Sequence, residues 1–178
     1  MNRTEIEIKL NNDRAWMLGT WAALSPDDLT RGITISRDDP TFLWSAKDHL
    51  AHLAGIEVAF NNIIRRHIAG NPNPIELFTP KPDGSKPSRE EIMARVHAMN
   101  DVWVREHRDK SFSEVVALAQ KIRAETLALL AELTDEQLEE RIPGAPWADG
   151  TVGGVIAVNG DHARQHHGWV TAGFAKQE

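Results

Sequence analysis

His162 and His166 are four residues apart, a spacing that sets two imidazoles one above the other on a single helix face. Two neutral imidazoles so placed make a two-point clamp for a divalent ion, leaving room for a third protein ligand and for water or substrate. The pair alone is also compatible with mildly favourable positive charge near a helix C-terminus. His52 shifts the balance. It sits in the apolar run Leu50-Ala51-His52-Leu53-Ala54, and a histidine facing a bundle core needs partners for its ring nitrogens. A metal shared with the last helix would supply one.

His49, one turn earlier, competes with His52. It follows Lys47-Asp48 near a helix start, which favours His52 as the third ligand and leaves His49 expected at the surface. His167 is about 100° round the helix from His166, so it is expected to pack or to face substrate. His67, His97 and His107 lie in polar stretches and are assigned no role. Trp44, Trp147 and Trp169 are candidate pocket walls and Arg164 a candidate anion partner. Asp48 and Asp161 are candidate acceptors behind the ligand imidazoles, although capping accounts for Asp48 equally well.

Positioning these groups falls to helices. Apolar residues recur at three and four positions in about 4–23, 45–69, 88–108, 111–133 and 152–174, with no hairpin signal and no alternation of strand and helix. Ser45 with Asp48, and Ser88 with Glu91, read as capping boxes. Gly70-Asn71-Pro72 reads as a helix stop. Pro26-Asp27-Asp28 is expected to end the first helix, and 30–40 to form a loop holding at most an irregular extended piece. Thr134 to Gln137 opens a short extra turn. The expectation is one all-α domain over 1–178, a bundle of four principal helices plus one short one, with a long crossover loop from Asn71 to Pro87.

Composition narrows the chemistry. The chain has 178 residues, 41% of them hydrophobic and 26% charged, which suits one globular core. No apolar run is long enough for a bilayer and no leader pattern opens the chain, so a cytoplasmic protein without a membrane partner is expected. Without cysteine there is neither a thiolate ligand nor a cysteine nucleophile, so any thiol must come from outside. A net charge of −6 and no basic cluster beyond Arg65-Arg66-His67 lead to the expectation of no nucleic-acid partner.

Trp44-Ser45-Ala46-Lys47-Asp48-His49-Leu50-Ala51-His52-Leu53, followed at a distance by Asp161-His162-Ala163-Arg164-Gln165-His166-His167-Gly168, resembles the DinB-like superfamily. That group includes mycothiol-dependent maleylpyruvate isomerases and bacillithiol-transferase-like proteins. The resemblance implies an up-down-down-up four-helix bundle with a divalent-metal site on His52, His162 and His166, zinc or nickel foremost and iron or copper also compatible with three imidazoles. It further implies a low-molecular-weight thiol cosubstrate, activated at the metal to attack a small electrophile. Isomerase-type members often carry a further C-terminal domain, so here the pocket is expected to come from helix ends, loops or the second subunit of a homodimer. The leading functional expectation is therefore a thiol-dependent S-transferase or isomerase. The alternatives are a non-catalytic metal- or small-ligand-binding stress-response protein and a metal-dependent hydrolase.

Overall fold

The computed structural model of the chain describes residues 1–76 and 79–176; residues 77 and 78 of the crossover loop, and 177 and 178, lie outside the described residues. The elements run α1 (Arg3–Trp21), α2 (Pro26–Thr30), β1 (Thr34–Ile35), β2 (Leu43–Trp44), α3 (Ala46–Ile68), α4 (Arg89–Glu106), α5 (Phe112–Glu132), α6 (Asp135–Glu139) and α7 (Val152–Ala175). No described helix is long and apolar enough to cross a membrane.

The helix starts are written locally. Ser45 accepts from the Asp48 amide while the Asp48 carboxylate accepts from the Ser45 amide, and Ser88 with Glu91 does the same. Asn2 with Glu5, Ser111 with Glu114 and Thr134 with Gln137 form three more reciprocal boxes. The predicted stop after α3 is a Schellman turn: Gly70, at φ 79°, donates to the His67 carbonyl and Asn71 donates to the Arg66 carbonyl. Pro26-Asp27-Asp28 begins the short helix α2, where a simple chain break was expected. Ser25 caps it and Pro26 occupies the first turn, where a missing N–H costs nothing.

Two apolar clusters fix the directions of the long helices. One gathers Ile6 and Leu10 of α1, Ile63 and Ile64 of α3, Leu129 and Leu130 of α5, and Val152, Val155 and Ile156 of α7. The other gathers Met17 and Trp21, Leu50 and Leu53, Val115 and Ala119, and Val170. Hence α1 runs with α7 and α3 runs with α5 in the opposite sense, the up-down-down-up order that the resemblance implied. Helix α4 lies outside this four-helix bundle, against α3. Its Trp103 covers Gly55, where a Cβ would come within 2.8 Å of the indole, and the Trp103 Nε1 donates to the Ala51 carbonyl.

Between the two clusters lies a charged layer. Glu57 of α3, fully buried, accepts from Arg14 of α1 at 2.7 Å and from Arg123 of α5 at 2.6 Å. The arginines also donate to the Ala119 and Leu10 carbonyls. Burial pulls Arg14 down to about 10, with Glu57 acting in the other direction. A carboxylate removed from this layer leaves two guanidinium groups buried without their counter-ion. Glu57→Ala is expected to cost about 3–5 kcal/mol, read as a lower denaturant midpoint; a change under 1 kcal/mol, on the order of an exposed pair, would show the layer to be dispensable.

Candidate metal centre

His52 belongs to α3 and His162 and His166 to α7, and the two helices meet so that one nitrogen from each ring lies within 4.8 Å of the others. Ring centroids are 5.3 Å apart for His52 and His162, 4.7 Å for His52 and His166, and 4.6 Å for His162 and His166. The Nε2 atoms of His162 and His166 face each other at 3.0 Å. Two ligands of one tetrahedral zinc ion, each about 2.0–2.1 Å from it, would stand about 3.3 Å apart. The spacing of His162 and His166 therefore fits two ligands of one divalent ion, and the His52 nitrogen stands within 4.8 Å of them.

Desolvation controls the electrostatics. Burial lowers His162 to about 4 and pushes His52 and His166 well down, with the neighbouring imidazoles adding to the effect on the last two. Near neutral pH all three rings are uncharged, the form in which an imidazole offers a lone pair. Neither Asp48 nor Asp161 touches a ring. Asp48 is spent on the α3 cap, and Asp161 pairs with Lys9 at 2.7 Å on the surface.

Other expected residues separate in the same way. Trp44 does line the cluster, its ring 5.0 Å from His52 and 5.4 Å from His49. Trp169 lies 4.5 Å from His166. Trp147 does not belong to the site: it packs on Phe60, about 12 Å along α3 from His52 at 1.5 Å per residue. Arg164 is not a free anion partner, because its Nε donates to the buried Asp13 at 2.6 Å and its guanidinium lies over Trp16. His167 faces α1, against Trp16 and Trp21.

The largest correction concerns His49. Expected at the surface, it is only 2% exposed, with Nε2 at 2.7 Å from Thr34 Oγ1 and Nδ1 at 2.6 Å from His166 Nδ1. Burial lowers it to about 3, with His162 contributing. What buries it is a hairpin. Strand β1 pairs antiparallel with β2, matching Thr34 to Trp44 and Ile35 to Leu43, and the fold-back covers the start of α3. Asp101 of α4 holds both sides of the hairpin, accepting from Ser36 Oγ at 2.5 Å and from Trp44 Nε1 at 3.1 Å. The three-residue spacing of His49 and His52 was a visible sign that they share a face.

The same hairpin brings Arg37 to the cluster. Its guanidinium lies 5.6 Å from the centre of the Trp169 ring and helps to lower both His166 and His97. Among the described residues it forms no ion pair.

The family model described as DinB superfamily matches residues 35–170. No curated protein matches the chain. An uncharacterised protein from Escherichia coli UTI89 superposes with a TM-score of 0.67 at 15% identity, over 99% of this chain and 94% of that one. The colibactin self-resistance protein ClbS, solved in complex with a dsDNA, superposes with a TM-score of 0.68 at 13% identity, over 96% of this chain and 94% of that one. The ClbS complex overturns the exclusion of nucleic-acid partners drawn from net charge, since a protein of this fold is seen on DNA. Net charge sums the whole surface, whereas phosphate contact is local. The matched span takes in the hairpin from Ile35 onward, the α3 histidines and the α7 pair, and on that match the chain belongs to the DinB superfamily.

Proposed function

We propose that the chain is a divalent-metal-dependent enzyme, with His52, His162 and His166 as ligands, that uses a small thiol to transform a small electrophile by S-transfer or isomerisation. The observation that carries this reading is the convergence of one nitrogen from each of three imidazoles within 4.8 Å, His52 and His166 buried and His162 half-buried, in a superfamily that is often metal-binding. An ion there would lower the pKa of a neighbouring thiol and polarise the electrophile. The chain's own part is to supply an uncharged donor set, to cover it with Trp44 and Trp169, and to hold Arg37 at its edge. With no carboxylate among the ligands the ion's charge is not offset, and Arg37 adds to it. The site therefore favours a substrate or thiol that carries an anionic group.

Three measurements test the reading. Protein purified without an affinity tag is expected to carry one divalent ion per chain and to lose it in His52→Ala and His166→Ala; stoichiometric metal in both variants would remove the ligand assignment. Thiol-dependent turnover is then expected against a panel of electrophiles, and its absence with every thiol tried would count against transfer. Arg37→Gln should raise KM for a carboxylate-bearing thiol about 10-fold, the order of one charge-assisted hydrogen bond, and leave KM for a neutral thiol unchanged. Equal effects on both would deny Arg37 its role.

The metal-free protein has a pH signature as well. In the unfolded chain these imidazoles titrate near 6.5, whereas the fold holds His49 at about 3 and His162 at about 4. As pH falls from about 6.5 to about 4 the unfolded state takes up protons that the folded state refuses, so stability is full above that window and is lost through it. Denaturant midpoints of the metal-free protein should drop from pH 7.5 to pH 5. A flat profile would mean that the rings are not held neutral.

A further inference from the structure

Four side chains from three elements form one continuous chain of hydrogen bonds. Thr34 Oγ1 of β1 meets His49 Nε2 at 2.7 Å, His49 Nδ1 of α3 meets His166 Nδ1 at 2.6 Å, and His166 Nε2 of α7 meets His162 Nε2 at 3.0 Å. A neutral imidazole carries one N–H and one lone pair, so the chain can be polarised in only two ways. In one, the Thr34 hydroxyl donates to His49, His49 Nδ1–H donates to His166, and the His166 proton sits on Nε2. In the other, His166 Nδ1–H donates to His49 Nδ1, and His49 Nε2–H donates to Thr34 Oγ1. Only the second leaves His166 Nε2 unprotonated, with its lone pair on the side that faces His162 and His52.

We propose that His49, backed by Thr34, is a positioning residue that fixes the tautomer and ring orientation of His166 so that its Nε2 is presented as a metal ligand. The inference rests on the ligand assignment proposed above and adds a residue to it. Metal-bound histidines generally donate their second N–H to a carboxylate, a carbonyl or water. Here the acceptor is a second imidazole, itself tied to a hydroxyl. Its position is fixed from both sides. His49 lies one turn from His52 on α3, so the helix that supplies one ligand also orients another, and Thr34 belongs to the hairpin that roofs the site.

Two substitutions and a spectrum test this. His49→Leu fills the space and removes the acceptor, whereas the Oδ1 of His49→Asn can take the place of Nδ1. Zinc affinity of the full chain, measured by competition with a chelator, should fall about 10–100-fold in His49→Leu and return to within a few-fold of the parent in His49→Asn, with metal-free melting temperatures no lower than the parent's. In the zinc-loaded parent, long-range ¹H–¹⁵N spectra of the histidines should show His166 as the Nδ1–H tautomer and His49 as the Nε2–H tautomer. Parent-like zinc affinity in His49→Leu, equal loss in both variants, or an Nδ1–H proton on His49 would each overturn the proposal and leave the ligand assignment standing. A parent chain that takes up no zinc or other divalent ion would overturn both.

Discussion

The histidines meet where α3 faces α7, and one buried carboxylate fixes α3 against α1 and α5. Glu57 reaches Arg14 on one neighbour and Arg123 on the other, in a layer sealed above and below by apolar residues. Apolar packing is non-directional and tolerates sliding by a fraction of a turn. A carboxylate bonded to two guanidinium groups does not, because any displacement strands a charge without water. His52 lies five residues before Glu57 on α3, so the layer that holds Glu57 also fixes the height of His52 along α1 and α5. On the other side of the bundle Asp13 is engaged by Lys9 and Arg164. The α1–α7 contact is close enough there that a Cβ on Gly160 would collide with the Asp13 carboxylate.

What could be read in the sequence follows the range of the interactions concerned. Helix starts at Ser45 and Ser88, the stop at Gly70 and the apolar stripes are written within four residues, and the structure matches them closely. The convergence of His52 with His162 and His166 was legible because helix periodicity gives the pair, while an apolar setting and its motif position in the family resemblance give the third. The surroundings of the site were not. His49 looked exposed because Lys47 and Asp48 precede it, yet the Lys47 ammonium turns away to the Arg108 and Lys110 carbonyls, while Asp48 closes its own cap. The cover over His49 comes from a two-residue ladder too short to leave a pattern of alternation. Arg164 looked available because its partner Asp13 is 151 positions away, and Trp147 looked like a wall because only folding assigns it to Phe60.

The site contrasts with the layer beneath it. Glu57 and the arginines keep full charges in the interior and balance them by direct contact, whereas the four histidines shed theirs and leave the space between the rings uncharged. The protein thus holds a charged lock and an uncharged donor set a little over one helical turn apart on α3. Arg37 stands outside both, over Trp169 and without an acidic partner among the described residues, so its positive charge lies unbalanced at the edge of the donor set.

His49 and His166 are 117 positions apart in the chain, and everything between α3 and α7 lies in the span they bracket. An ion gripped by His52, His162 and His166 would close that span much as a covalent cross-link does, by removing from the unfolded ensemble the freedom of a loop of more than a hundred residues. Loading the centre and completing the fold would then be linked equilibria. Such a protein would read metal supply through its own lifetime, since the ion-free chain opens more often and is the form exposed to proteolysis.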